Sequence, residues 1–379
     1  MYHRLKKQIS NTLLNIPGWR SKRKIIVIES DDWGTVRMNS HESWLYFLNK
    51  GYPVDKCSYN RYDSLESNED MEKLFEVLLS VKDCQGNPAV ITANNIVANP
   101  DFDKIKSSGF SQYFYEPFTN TLQRYPGRDS VADLYKYGIE QKIFKPQFHG
   151  REHVNVPAWM KLLQADNELA HLLFQHRMFS LHARHGQGAD RYELMDALNI
   201  ASATELRQQE SIISDGLMLF EKIWGYQSKS IIAPCYIWSR QIEPVAAKFG
   251  VHYIQGIANQ FEPLPKPGYD FRKIYHYQGQ KNRLGQRYLV RNSFFEPAFD
   301  ENFDWYSDCM RRIKNAFTLG KPAIICSHRL NYTGSIHPGN REKNLRLLAD
   351  LLKGILKYWP EAEFMSSDCL GEVMVEKHG

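Results

Sequence analysis

The 379-residue sequence predicts an α/β fold: one βα domain of barrel size over residues 24–379, behind a basic lead-in at 1–23. Three observations predict it. Short β-branched apolar runs alternate with helical patterns through most of the chain. Three of those runs end in residues that carry chemistry, and the parallel strands of a barrel bring such ends to one face. The hydrophobic fraction of 42% is enough for a large core.

The first run is Lys24-Ile25-Ile26-Val27-Ile28-Glu29, a buried parallel strand by its composition, followed by Ser30-Asp31-Asp32-Trp33-Gly34. Paired acids after a strand often cap a helix or sit in a turn, but adjacent carboxylates also repel unless something positive lies beside them. Helical patterns follow at 42–48 and 69–79, then a strand at 89–93 that ends in Asn94-Asn95. Residues 129–143 read as helix. The strand 146–148 then delivers His149-Gly150-Arg151-Glu152-His153, two imidazoles four apart that a helical turn would point the same way. A rival pair is His182 and His185, at a spacing that also suits a helix face.

Asn155 is placed to cap a helix with Pro157 just inside it, and helices are expected at 166–176 and 203–224. A strand at 230–233, a helix capped by Ser239 and running to 248, and a strand at 251–254 follow. Residues 261–292 differ: rich in Pro, Gly, Tyr and Arg, they read as a β-hairpin excursion or long loop. Alternation resumes with a helix at 303–317 and the strand 323–326, which delivers Ser327-His328-Arg329. A helix at 341–358, a strand at 363–365 and a helix capped by Ser367 complete the chain. Insertions on the barrel are expected near 50–140, 165–225 and 260–300. A histidine outside a metal site is a natural general acid near neutral pH, which suits His328.

The net charge of +5 is mild and its basic residues are scattered, which argues against a nucleic-acid partner. No apolar span suggests a membrane helix. The lead-in lacks the continuous apolar stretch and cleavage site of a signal peptide, so a cytoplasmic location is the expectation. Six cysteines without a Cys-x-x-Cys pair fit a reducing compartment better than a disulfide framework or a thiolate zinc site.

These motifs resemble those of the polysaccharide deacetylases, carbohydrate esterase family 4, within the glycoside hydrolase/deacetylase superfamily. The resemblance implies a distorted (β/α) barrel, often of seven strands, here with helical and hairpin insertions. By the match, Asp31 is the catalytic base, and Asp32, His149 and His153 are ligands of one divalent metal. That metal is zinc, with cobalt or nickel as alternatives. His328 is the general acid. Gly150 stands where the family has a hydroxyl residue. The segment Ile232-Ala233-Pro234-Cys235-Tyr236-Ile237-Trp238 keeps the proline and aromatics of a middle motif but lacks the arginine that orients the base, for which Arg151 or Arg329 would substitute. The carboxylate that tunes the histidine is also missing, with Asp368 as a substitute. The implied activity is removal of an acetyl group, N- or O-linked, from a carbohydrate, with a backbone N–H near Tyr236 stabilising the oxyanion.

Trp33, Trp159, Tyr236 and Trp238 are candidates to stack on sugar, and Asn94, Arg151, Arg329, Asn331 and Tyr332 to contact its hydroxyls or acetyl group. Two rival readings remain. One is a metal-independent glycoside hydrolase pairing Asp31 with Glu152 or Glu296. The other is a carbohydrate-binding relative without catalysis.

Overall fold

The computed structural model describes residues 11–181, 184–185, 192–266 and 270–376. Its centre is a nine-stranded, wholly parallel sheet. The strands are β1 (Lys24–Trp33), β2 (Ile91–Ile96), β3 (Phe144–Gly150), β4 (Ser230–Ile232), β5 (Tyr253–Gly256), β6 (Arg287–Val290), β7 (Ser293–Phe294), β8 (Ala323–His328) and β9 (Ala362–Phe364). Their order is β6-β5-β4-β3-β2-β1-β8-β7, and β9 pairs with the start of β1.

The two ends of that order are one stretch of chain. β6 pairs with β5, the Arg291 N–H donates to the Gly256 carbonyl, and the Asn292 N–H then donates to the Ile324 carbonyl on β8. β7 continues alongside β8. Residues 287–294 therefore form one stave that bonds first to β5 and then to β8, and the sheet curls into a distorted (β/α) barrel. With β6 and β7 as one stave and β9 only flanking β1, the barrel has seven. The expected excursion at 260–300 is corrected here. It does contain an antiparallel hairpin, Asn259–Pro263 against Phe271–Tyr275, but also the stave that joins the two ends of the sheet. The stave was disguised because its apolar run, Tyr288-Leu289-Val290, is three residues long and follows a Gly- and Arg-rich connection.

Alternation along each strand divides the core. Ile26, Ile28, Ile91 and Ala93 face outward and pack with residues of the helices Asn68–Leu79, Val131–Glu140, Trp305–Thr318 and Pro338–Tyr358. Ile25, Val27, Leu289 and Ile324 face inward and meet Leu370 and Met374 of the last helix, Ser367–Val375, which plugs the floor of the barrel. Polar groups occupy the lumen above that plug, among them Glu29, Thr92, Gln147 and Ser230, linked by hydrogen bonds. The lead-in is tied down as well: the Lys321 ammonium donates to the carbonyls of Pro17, Gly18 and Trp19. Among the described residues, no helix is long and apolar enough to cross a membrane.

Candidate active site and metal centre

In a regular strand Asp31 and Asp32 would point to opposite faces. Here β1 shifts register against β2 between Ser30 and Trp33, and Asp32 takes a left-handed conformation (φ 76°). This irregularity turns both carboxylates into the mouth of the barrel. Gly34 completes the turn at φ 84°; a Cβ there would lie 2.4 Å from the Ile96 carbonyl oxygen, so only glycine fits.

Asp32 Oδ1 lies 3.4 Å from His149 Nε2 and 3.1 Å from His153 Nε2, and all three residues are buried. His149 sits on β3, its Nδ1 2.9 Å from the Ile232 carbonyl oxygen. That carbonyl only accepts, so Nδ1 donates to it, and Nε2 is the ring nitrogen turned toward the Asp32 carboxylate. Burial, outweighing the attraction of Asp32, pushes His153 down to about 4, so it is neutral at pH 7. Its Nδ1 has no hydrogen-bond partner. A carboxylate and two imidazole nitrogens converge here in one buried cluster of possible ligand atoms. One carboxylate and two imidazoles, with donor atoms within 4.8 Å of one another, suit zinc, and also cobalt or nickel. The two histidines do not share a helical turn, as their spacing suggested: the chain leaves β3 at Gly150 (φ 148°) and bends back to bring His153 in. Arg37, which sequence reading missed, occupies the other side of Asp32 (Nη2–Oδ2 3.3 Å) and also pairs with Asp63.

Asp31 is clamped by Arg291, whose Nη1 and Nη2 lie 2.7 and 2.6 Å from its two oxygens, while Nε donates to Glu29 at 2.6 Å. The Asn94 amide donates to Asp31 Oδ1 at 2.7 Å. Burial opposes ionisation of Asp31, but the guanidinium overrides it and holds the carboxyl at about 2. The orienting arginine therefore comes from the 287–294 stave, neither from the 232–238 segment nor from Arg151 or Arg329.

His328 Nε2 lies 3.7 Å from Asp31 Oδ2, and its Nδ1 bonds Glu296 at 2.6 Å. Burial pushes the imidazole down, but Glu296 outweighs it and lifts His328 to about 9. Asn331 in turn donates to the other oxygen of Glu296. The acidic partner is thus Glu296. Asp368 lies on the plugging helix and bonds Ser366.

Asp31, Asp32, Arg37, His149, His153, Glu296 and His328 open on a cavity of about 400 Å³, walled also by Tyr59, Tyr236, Phe299, Phe303, Trp305 and Arg312. Tyr236 takes a hydrogen bond from Arg291 through its hydroxyl, but its backbone N–H donates to Ala233 and is not free for an oxyanion. The other residues expected to touch substrate lie elsewhere. Trp33 is fully buried against Phe144 with its N–H on Ser30, and Trp159 is a core residue. Trp238 stacks on His276 and bonds Glu243. Pro234 is buried within the turn that presents Cys235 and Tyr236. Asn94 holds Asp31, and Arg151 pairs with Glu152 and Asp215. Arg329 is sealed between Asp63 and Glu66, and Tyr332 bonds Ser327. His182 lies outside the described residues, and of His185 only the backbone is described, in a short antiparallel pair.

Sequence reading failed to place Arg37 and Arg291, and it named Glu296 only as a rival catalytic carboxylate and not as the partner of His328. A signal existed for two of them. Arg287-Tyr288-Leu289-Val290-Arg291 is a short apolar run ending in a charged residue, the pattern that marked the other strands, and Glu296 follows five residues on.

No family model matches the sequence, and no curated protein matches it. Solved structures do. A structure named for a glycoside hydrolase/deacetylase from Parabacteroides distasonis matches over 95% of this chain and 72% of its own, at 9% identity and a TM-score of 0.48. The 4-α-glucanotransferase of Thermococcus litoralis matches over 92% of this chain, at 10% identity and a TM-score of 0.43; this chain covers 40% of that protein. A family 4 carbohydrate esterase from Streptomyces lividans, solved with acetate, matches over 92% of this chain and 95% of its own, at 11% identity and a TM-score of 0.35.

Proposed function

We propose that this protein is a metal-dependent hydrolase that removes an acetyl group, most simply N-linked, from a carbohydrate. One observation carries the reading: an ionised Asp31 and a protonated His328 lie 3.7 Å apart in the same pocket as the Asp32, His149 and His153 cluster. Asp32, His149 and His153 would hold the metal, which when bound lowers the pKa of a water and polarises an acyl carbonyl.

Asp31 accepts the proton of the attacking water, and Arg291 keeps it ionised and aimed. His328 gives its Nε2 proton to the departing nitrogen, while Glu296 holds the ring by Nδ1 and stabilises its charged form. The proton on Asp31 then returns to His328 or to solvent, which closes the cycle. The aromatic rings at the mouth offer faces on which a sugar can stack.

The two-carboxylate glycosidase reading is less favoured. Glu152 is buried against Arg151 and Tyr113, and Glu296 is committed to His328 and Asn331. The test is metal content and acetate release from acetylated sugars, measured on wild type, Asp31→Asn and the double variant His149→Ala/His153→Ala. The proposal expects near-stoichiometric metal in wild type and Asp31→Asn, none in the double variant, and acetate from wild type alone. A wild type that takes up no zinc, cobalt or nickel removes the mechanism. One that binds metal and glycan without releasing acetate leaves the binding-only reading.

A further inference from the structure

Most charges around the pocket are already matched. Arg37 is committed to Asp32 and Asp63, Arg291 to Glu29 and Asp31, and His328 to Glu296. Arg312 differs. It lies on the helix Trp305–Thr318, seven residues after Trp305 and four after Asp308, so all three share one face, and all three line the pocket. Asp308 is shared by two arginines: Arg311 takes one oxygen, and Arg312 Nε takes the other at 2.6 Å. Sharing Asp308 with Arg311, which does not line the pocket, leaves the charge of Arg312 only partly balanced. Arg312 Cζ also lies 5.0 Å from the centroid of the Phe294 ring, over its face. Among the described residues, neither Nη of Arg312 has a partner, although its side chain is only 16% exposed.

A guanidinium held through Nε and by an aromatic face, with both Nη groups unclaimed, is prearranged for a planar or tetrahedral oxyanion. We infer that Arg312 determines substrate choice, and that the sugar carries an oxyanion, a carboxylate or a phosphate, which pairs with the Arg312 Nη groups. Phe299, Phe303 and Trp305 would flank the ring. The inference rests on the deacetylase reading of the same pocket and names its substrate class: an acidic or phosphorylated N-acetyl sugar.

The test compares three probes on metal-loaded protein: N-acetylglucosamine, N-acetylmuramic acid as the carboxylate and N-acetylglucosamine 6-phosphate as the phosphate. Each is run with wild type, Arg312→Gln and Arg312→Lys. Acetate release should favour an anionic probe over the neutral one through a lower KM. Arg312→Gln should raise the KM for that probe about 10- to 100-fold, the loss of a charge-assisted pair. Arg312→Lys, which keeps the charge without the fork, should recover part of it. Whichever anion gains more identifies the group that is read. Equal KM values for neutral and anionic probes in wild type, or a preference that survives Arg312→Gln, overturn the inference while leaving deacetylation standing. If no probe releases acetate, the deacetylase reading fails for these sugars and calorimetric binding decides the inference. A Kd for the anionic probes that rises with Arg312→Gln upholds it, and an unmoved Kd overturns it.

Discussion

Two buried arginines, Arg291 and Arg329, each clamp two carboxylates, yet only one clamp belongs to the pocket. Arg291 joins Glu29 and Asp31; Arg329 joins Asp63 and Glu66. All six side chains are buried, and by charge alone the clusters look alike. They differ in what the carboxylates have left to do. Glu66 also accepts from the Gly34 N–H and the Tyr135 hydroxyl, and Arg329 donates to the Thr35 carbonyl. That cluster pins the turn after β1, and among the described residues it meets the pocket through Arg37, which bridges Asp63 to Asp32. Asp31, by contrast, keeps an edge on the cavity with His328 beside it. The same ion-pair chemistry therefore serves as scaffold in one place and, in the proposed function, as reactive machinery in the other, according to whether the carboxylate still faces open space.

The sharpest way to break this comparison is to neutralise the reactive carboxylate. Asp31→Asn should lower acetate release about 100- to 10,000-fold, the range expected for losing a general base, with metal content unchanged by elemental analysis. The sealed cluster should respond in the opposite sense. Arg329→Met strands two buried acids and should destabilise the fold by about 3–5 kcal/mol in denaturant titrations, while the activity per folded molecule persists. If Arg329→Met abolished turnover at full stability, the distinction would collapse.

Metal binding should stabilise only the pocket side. Zinc at a hundredfold excess over its Kd should add about 2.7 kcal/mol to wild type, visible as a rise in Tm, and nothing to His149→Ala/His153→Ala.

The pH profile sharpens the contrast further. His328 is raised above its ordinary 6.5 to about 9, so the protonated acid is present below that value and lost as pH rises through it. Activity should therefore fall with alkaline pH around 9, and Glu296→Gln should draw that limb down toward 6.5. The stability contributed by the His328–Glu296 pair follows the same sign, full below about 6.5 and gone above about 9. The smallest expected effect is that of Trp238→Phe, a core change costing about 1 kcal/mol and leaving KM for any sugar where it was.

The strand ends were legible because each is announced locally. A run such as Ile25-Ile26-Val27-Ile28 or Ile324-Ile325-Cys326 is apolar, β-branched in large part and followed at once by a residue with chemistry. Asp31, Asp32, His149, His153 and His328 could be singled out on that ground, and all five line the pocket. Arg151, Arg329 and Trp238 were drawn into the site by the same logic of nearness in sequence, and that logic failed. A residue one step past a pocket-lining one in a strand or tight turn faces elsewhere, as Arg329 does beside His328.

The sequence by itself determined the alternating βα plan, the strand ends and the residue types that could meet there, because periodicity and composition act over a few neighbouring residues. Only the tertiary structure decided which arginine and which carboxylate serve Asp31 and His328. Arg291 lies 260 positions from Asp31 and Glu296 lies 32 from His328. They meet because one short stave joins β5 to β8 and brings the two ends of the sheet together. That closure is made by strand pairing between distant segments, and no local stretch of sequence encodes the partner on the far side of a barrel.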